Sequence, residues 1–237
     1  MPEWWSYDLS DLLLFSPRTY YRMLEHYNEA VWPGQFLPVG LGLGFLGLLW
    51  RPIASQGRLI SGILALLWIW VSWAFLWQRY ATINWAASYL VPLFALEALL
   101  LVWIGVARGR LSFRLRRDAV GLVGIALFVL SLAVYPLLAP LVGRPLAQAE
   151  IFGLAPDPTA IATVGLLLLA ERRLRWDLLA VPILWLSLSG ATLWAMGSPE
   201  APIPALAALL VLVVSVTSRR HAPPPAGAAG PAPGHCE

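Results

Sequence analysis

Two acids lie where a polar side chain is expensive: Glu97, inside the apolar run VPLFALEALLLVW, and Asp157, between two prolines ahead of the short apolar stretch TAIATVGLLLLAE. A carboxylate in hydrocarbon must find a partner, face the bundle interior or carry a proton. Glu97 is therefore a candidate for proton or cation coupling, for an interhelical hydrogen bond to Ser72, Ser187 or Ser189, or for a position at headgroup level. Asp157 is expected to cap a short helix, with Pro158 in its first turn, where a missing N–H costs nothing, and Thr159 following. A short helix whose open N-terminus points into the bundle offers unpaired N–H groups to an anion, whereas Asp157 itself draws a cation or a proton. Arg144, in the loop before it, is a candidate partner for Asp157 or Glu150. Glu97, Asp157, Thr159 and Arg144 are thus the candidate polar sites, for transport or for structure.

Other chemistry is poorly supplied. The chain has no HExxH, CxxC, G-x-S-x-G or Walker loop, so no catalytic site, cofactor or metal is expected. His26, His221 and His235 are scattered over the two ends. Cys236 is the only cysteine, which leaves no intrachain disulfide.

The elements that must position these acids are apolar. Mean hydropathy is +0.71 and only 12% of residues are charged, about half the share of a soluble domain. Candidate spans are 36–50, 59–77, 88–107, 119–142, 159–171, 178–197 and 201–218. The second, third, fourth and sixth have about the 20 residues that a 30 Å hydrocarbon core requires. The first is short and glycine-rich, with Gly40 and Gly44 in small-xxx-small spacing. The fifth is too short to span unless tilted, buried or extended by its approach loop. The fold class expected is all-α, a polytopic bundle of seven transmembrane helices over residues 35–220. Residues 1–34 carry mixed aromatic and acidic clusters, which read as interfacial amphipathic helices and not as a signal peptide. Residues 221–237, rich in proline, alanine and glycine, read as a disordered tail.

All sixteen basic residues are arginine, and seven crossings would put twelve of them on one side, the largest cluster being RGRLSFRLRRD at 108–118. The positive-inside rule then places the N-terminus outside and the C-terminus in the cytoplasm. Anionic headgroups are the expected partner of these arginines, and a nucleic acid is not. Thirteen tryptophans fit interfacial anchoring, and Trp70, Trp73 and Trp77 share one helical face.

The segments EWWSYDLSDLLLFSPRTYYRMLEHYNEAVWPGQ (3–35) and FGLAPDPTAIATVGLLLL (152–169) resemble DUF6064, a family of small bacterial multi-pass proteins of unknown function. The likeness extends to about residue 220. It implies that 7–34 and 152–165 act together, as a lid over the short helix, and it names no substrate. Many family members carry a cysteine between the prolines where this chain has Asp157, so no thiolate role is implied here. The functional expectation is a small permease or ion-coupled transporter acting on a small solute or ion, with a cavity reaching Asp157 or Glu97. The alternative is a non-catalytic scaffold or assembly partner, which would show a filled bundle with Glu97 satisfied internally. Oligomeric state is left open.

Overall fold

The computed structural model describes residues 13–171 and 175–220, the side chains of 218–220 excepted. Eight helices lie in these residues: α1 (Pro17–Val31), α2 (Phe36–Trp50), α3 (Gln56–Ile83), α4 (Trp85–Ala107), α5 (Ala119–Leu141), α6 (Pro156–Leu168), α7 (Trp176–Ala195) and α8 (Pro202–Arg220). Their starts follow local chemistry. Ser16 caps α1 by accepting the Thr19 N–H at 3.2 Å, with Pro17 in the first turn, and Asp118 caps α5 by accepting the Gly121 N–H at 3.0 Å. Residues 1–12, the first part of the interfacial region expected over 1–34, and the tail expected to be disordered over 221–237 lie outside the described residues.

Four helices, α3, α4, α5 and α7, are long and apolar enough to cross a membrane; α1 and α2, bent by 85°, make a fifth if counted as one span. The expectation of seven transmembrane helices is therefore corrected to four, or up to five. The surplus came from short helices. α6 has 13 residues, a rise of about 20 Å against the roughly 30 Å of a hydrocarbon core. Every one of its residues is buried. A helix apolar on all faces reads alike in hydropathy whether lipid or protein surrounds it. α2 has 15 residues, and the apolar part of α8 is only Pro202–Thr217.

α6 is the central post. It crosses α5 at a pair of glycines so close that a Cβ on Gly124 would stand 2.8 Å from the Gly165 carbonyl oxygen, and one on Gly165 would stand 2.7 Å from that of Gly124. α3 and α4 run antiparallel beside it, tied by the Ser72 hydroxyl donating to the Val91 carbonyl at 2.9 Å. Pro92 stands in the first α-helical turn after a 3₁₀ start at Trp85–Tyr89, so it opens that helix and does not kink it. In α5 the helix relaxes into π turns over Leu130–Val134, just ahead of Pro136, which offers no N–H to the preceding turn.

The two ends of the bundle differ. One carries Arg58 against Gly109, Arg114 beside Glu171, and Arg175 paired with Asp177. There the α4–α5 linker buries Leu111 and Phe113 while its arginines stay exposed, and Phe113 pairs as an isolated β-bridge with Ala170 at the foot of α6. The other end carries Arg18, Arg22, Arg79 and Arg144. From that far end, residues 142–155 descend into the bundle to reach the head of α6, and α1 lies across them. Tyr27 donates to the Leu154 carbonyl at 3.2 Å, and Asn28 donates to the carbonyls of Ala147 and Ala149 at 2.7 and 2.8 Å. These bonds satisfy backbone groups that lipid would leave bare. Trp70, Trp73 and Trp77 turn their shared face outward, and only Trp70 reaches inward, donating to the Tyr27 hydroxyl at 3.0 Å.

Candidate functional site

Asp157 is buried at the head of α6, at 1% exposure. It does not cap that helix: Ala155 holds the cap position, Pro156 and Pro158 flank Asp157 inside the first turn, and no side chain caps it. The carboxylate turns sideways instead. Tyr135 of α5 donates to Oδ2 at 2.8 Å, Ser189 of α7 donates to Oδ2 at 2.7 Å, and the Trp185 indole of α7 donates to Oδ1 at 2.6 Å. Trp185 lies midway along α7, so the head of α6 sits near the middle of the bundle. Burial pushes this carboxyl above the ordinary aspartate range, while the three donors and the positive end of a helix dipole pull the other way. One carboxylate thereby binds three helices together.

Thr159 locks the turn that delivers this helix. Its hydroxyl accepts the Gly153 N–H at 2.9 Å and donates to the Ala155 carbonyl at 2.6 Å, while Gly153 itself adopts φ +77°, which a side chain would strain. One turn on, Thr163 accepts from the Trp68 indole at 2.9 Å, and Ser131, within the π turns of α5, donates to the Pro158 carbonyl.

A second buried carboxylate, Glu150, lies in the descending loop. Tyr20 of α1 donates to its Oε1 at 3.0 Å, and its Oε2 has no hydrogen-bond partner among the described residues. Burial pushes this carboxyl well above the ordinary glutamate range, and the charges of Asp157 and Glu200 add to the shift. Arg144 pairs with Glu200, not with Asp157 or Glu150 as the sequence suggested, and its guanidinium lies 3.9 Å from the Tyr21 ring centroid. Glu200 is pushed up by burial even so, the nearby Arg144 pulling against it.

Next to these acids, at the far end of the bundle, is a cavity of about 140 Å³. Its polar and aromatic walls are Tyr20, Tyr80, Asn84, Trp185, Ser189 and Thr192, with leucine, alanine and methionine between them. Three of these walls touch the buried acids from behind: Trp185 and Ser189 hold Asp157, and Tyr20 holds Glu150.

Glu97 is placed differently. It is wholly buried midway along α4, and neither carboxylate oxygen has a hydrogen-bond partner among the described residues. The serines expected to receive it are engaged elsewhere: Ser72 with Val91, Ser187 with the Ile183 carbonyl at 2.8 Å, and Ser189 with Asp157. Phe94, one turn before Glu97, packs against Trp68 at 4.6 Å and edge-on against Trp185 at 5.2 Å. Glu97 thus sits about one turn beyond an aromatic layer whose other side holds Asp157. The four residues singled out in the sequence do not form one site. Asp157 and Thr159 share the head of α6, Arg144 lies nearer the surface, and Glu97 is on the opposite side of the aromatics.

Tyr20, Tyr135, Glu150, Trp185 and Ser189 complete the site without any linear spacing to announce them, since they come from α1, α5, α7 and a loop. One local signal was present: Trp185 and Ser189 are four apart on one face of an otherwise apolar helix. Among the described residues no three histidine, cysteine or acidic side chains come together to hold a metal.

The chain belongs to the family of unknown function DUF6064, whose model matches residues 18–223, and it is a multi-span membrane protein. No curated protein and no solved structure matches it.

Proposed function

We propose that this DUF6064 member is a small ion-coupled permease of a bacterial cytoplasmic membrane, binding its solute in the cavity beside Asp157 and coupling movement to Glu97. The observation that carries the reading is that cavity. It ends on side chains that hold a carboxylate at the head of a half-length helix, and irregular backbone at such depth is tolerated where it lines a site or is buried in protein. Glu97 supports the coupling half: a buried acid with no partner is costly to keep for packing alone, and the aromatic layer separates it from the cavity. The arginine-rich end faces the cytoplasm and its anionic headgroups, which puts α1 and the cavity on the outside. No catalytic step is assigned.

The test is thermal melting of the detergent-purified protein against ions and small solutes at several pH values, in wild type and in Ala86→Trp, which fills the cavity and leaves every carboxylate contact intact. A solute that raises the melting temperature of wild type but not of Ala86→Trp supports a binding site. No shift with any solute contradicts it and leaves a filled scaffold as the better account.

A further inference from the structure

Three of the four hydroxyls that line the cavity, all but that of Tyr80, have already spent their protons. Tyr20 donates to Glu150 at 3.0 Å, Ser189 to Asp157 at 2.7 Å, and Thr192 to the Leu188 carbonyl at 2.9 Å. A hydroxyl has one proton and two lone pairs, so these three can only accept from whatever enters. Asn84 is committed on both sides, its Oδ1 accepting the Ala86 N–H at 3.1 Å and its amide meeting the Tyr80 hydroxyl. Behind the acceptors stand the two acids, Asp157 and Glu150, and beside them the rings of Tyr20, Tyr80 and Trp185, whose faces attract positive charge. None of the described lining residues is basic: Arg18, Arg22 and Arg79 line a separate groove on the outside of α1, and Arg144 is occupied by Glu200.

We infer that the cavity takes a small primary alkylammonium ion, its N–H groups donating to Tyr20, Ser189 and Thr192 and its alkyl part lying against Leu90, Leu188 and Met196. This rests on the reading of the cavity as a solute site and gives that solute its charge and donor character. The wall chemistry favours an organic cation over a bare metal ion. Most of the surface is apolar, which suits an alkyl chain, and sodium or potassium would need a full shell of oxygens to replace its water. The volume fits as well: a cavity of roughly 150 Å³ is large enough for a molecule the size of benzene, and this one is about 140 Å³.

The inference is tested by calorimetric titration of the full chain in nanodiscs with propylammonium, 1-butanol and butyrate, which are similar in size and differ in charge, and with sodium and potassium chloride. Propylammonium is expected to bind at least tenfold more tightly than butanol, and butyrate and the metal ions not at all. Thr192→Val, which removes one acceptor that bonds no carboxylate, is expected to weaken propylammonium at least threefold, and Ala86→Trp to abolish it. Butanol binding as tightly as propylammonium, with both lost in Ala86→Trp, overturns the cation assignment and leaves the solute site standing. Butyrate binding best, or a metal ion alone binding, likewise overturns it. Propylammonium binding that survives both substitutions overturns its placement in this cavity, and no binding of any probe removes the inference together with the site.

Discussion

Asp157 and Glu97 are both buried acids in an apolar bundle, yet among the described residues one is held by three donors and the other by none. Asp157 sits at a helix N-terminus where three helices converge, so its oxygens are matched by donors and in turn fix α5, α6 and α7 against one another. Glu97 stands midway along α4, wholly buried, and neither of its oxygens meets a donor among the described residues. Burial alone therefore does not define a site; what distinguishes the two is whether the surroundings were built around the charge. A fully satisfied carboxylate resists change, whereas an unsatisfied one is free to alter its proton or its partner.

The comparison breaks most visibly at Asp157. Asp157→Ala leaves the hydroxyls of Tyr135 and Ser189 and the Trp185 indole without their acceptor. At about 1–3 kcal/mol for each buried unpaired group, the loss should reach at least about 3 kcal/mol. Expression and a lowered melting temperature are the readout, and an unchanged melting temperature would show that the network does not hold the bundle. The crossing beneath it comes next. Gly165→Val pushes a branched side chain into the Gly124 backbone and should cost about 1–3 kcal/mol or more, where Gly40→Val, with open space around it, should cost far less. Equal losses would place the helices differently.

Glu97 should behave in the opposite sense. Glu97→Met removes an unpartnered polar group and keeps its volume, so the protein should gain about 1–3 kcal/mol and melt higher. A clear loss of stability would reveal a partner for Glu97. The smallest effect belongs to Glu150. Its carboxyl is raised in the folded protein, so the folded state binds more protons than the unfolded one once the pH exceeds the ordinary glutamate value of about 4.5. That contribution is complete below the ordinary value and is lost as pH rises through the raised one. Melting measured against pH should therefore slope downward in this range, and Glu150→Gln should flatten the slope.

How far the sequence reaches depends on which question length can answer. The four apolar stretches of about 20 residues coincide with α3, α4, α5 and α7, because a run that long has one physical explanation. Shorter runs have two, and the stretch at 159–171 proved to be part of a helix enclosed by its neighbours. The PDPT segment was legible as the start of a helix from its prolines, but not the direction of its acid, since the donors that turn Asp157 away from the cap come from α5 and α7. Arg144 was assigned to the acids nearest in sequence. Glu200, more than fifty residues away, claims it because α7 returns the chain to the same end. Glu97 was visible as an anomaly, and that its oxygens go unmatched is a fact of packing that only the assembled helices disclose.

The division of labour between the two acids is tested most directly by proton movement in proteoliposomes. A solute that stabilises the wild type is applied as a gradient, and interior pH is followed in wild type and Glu97→Gln, with protein-free vesicles as the baseline. The account predicts that both proteins bind the solute with the same melting shift while only wild type changes the interior pH. An identical pH change in Glu97→Gln, or none in wild type, would contradict it.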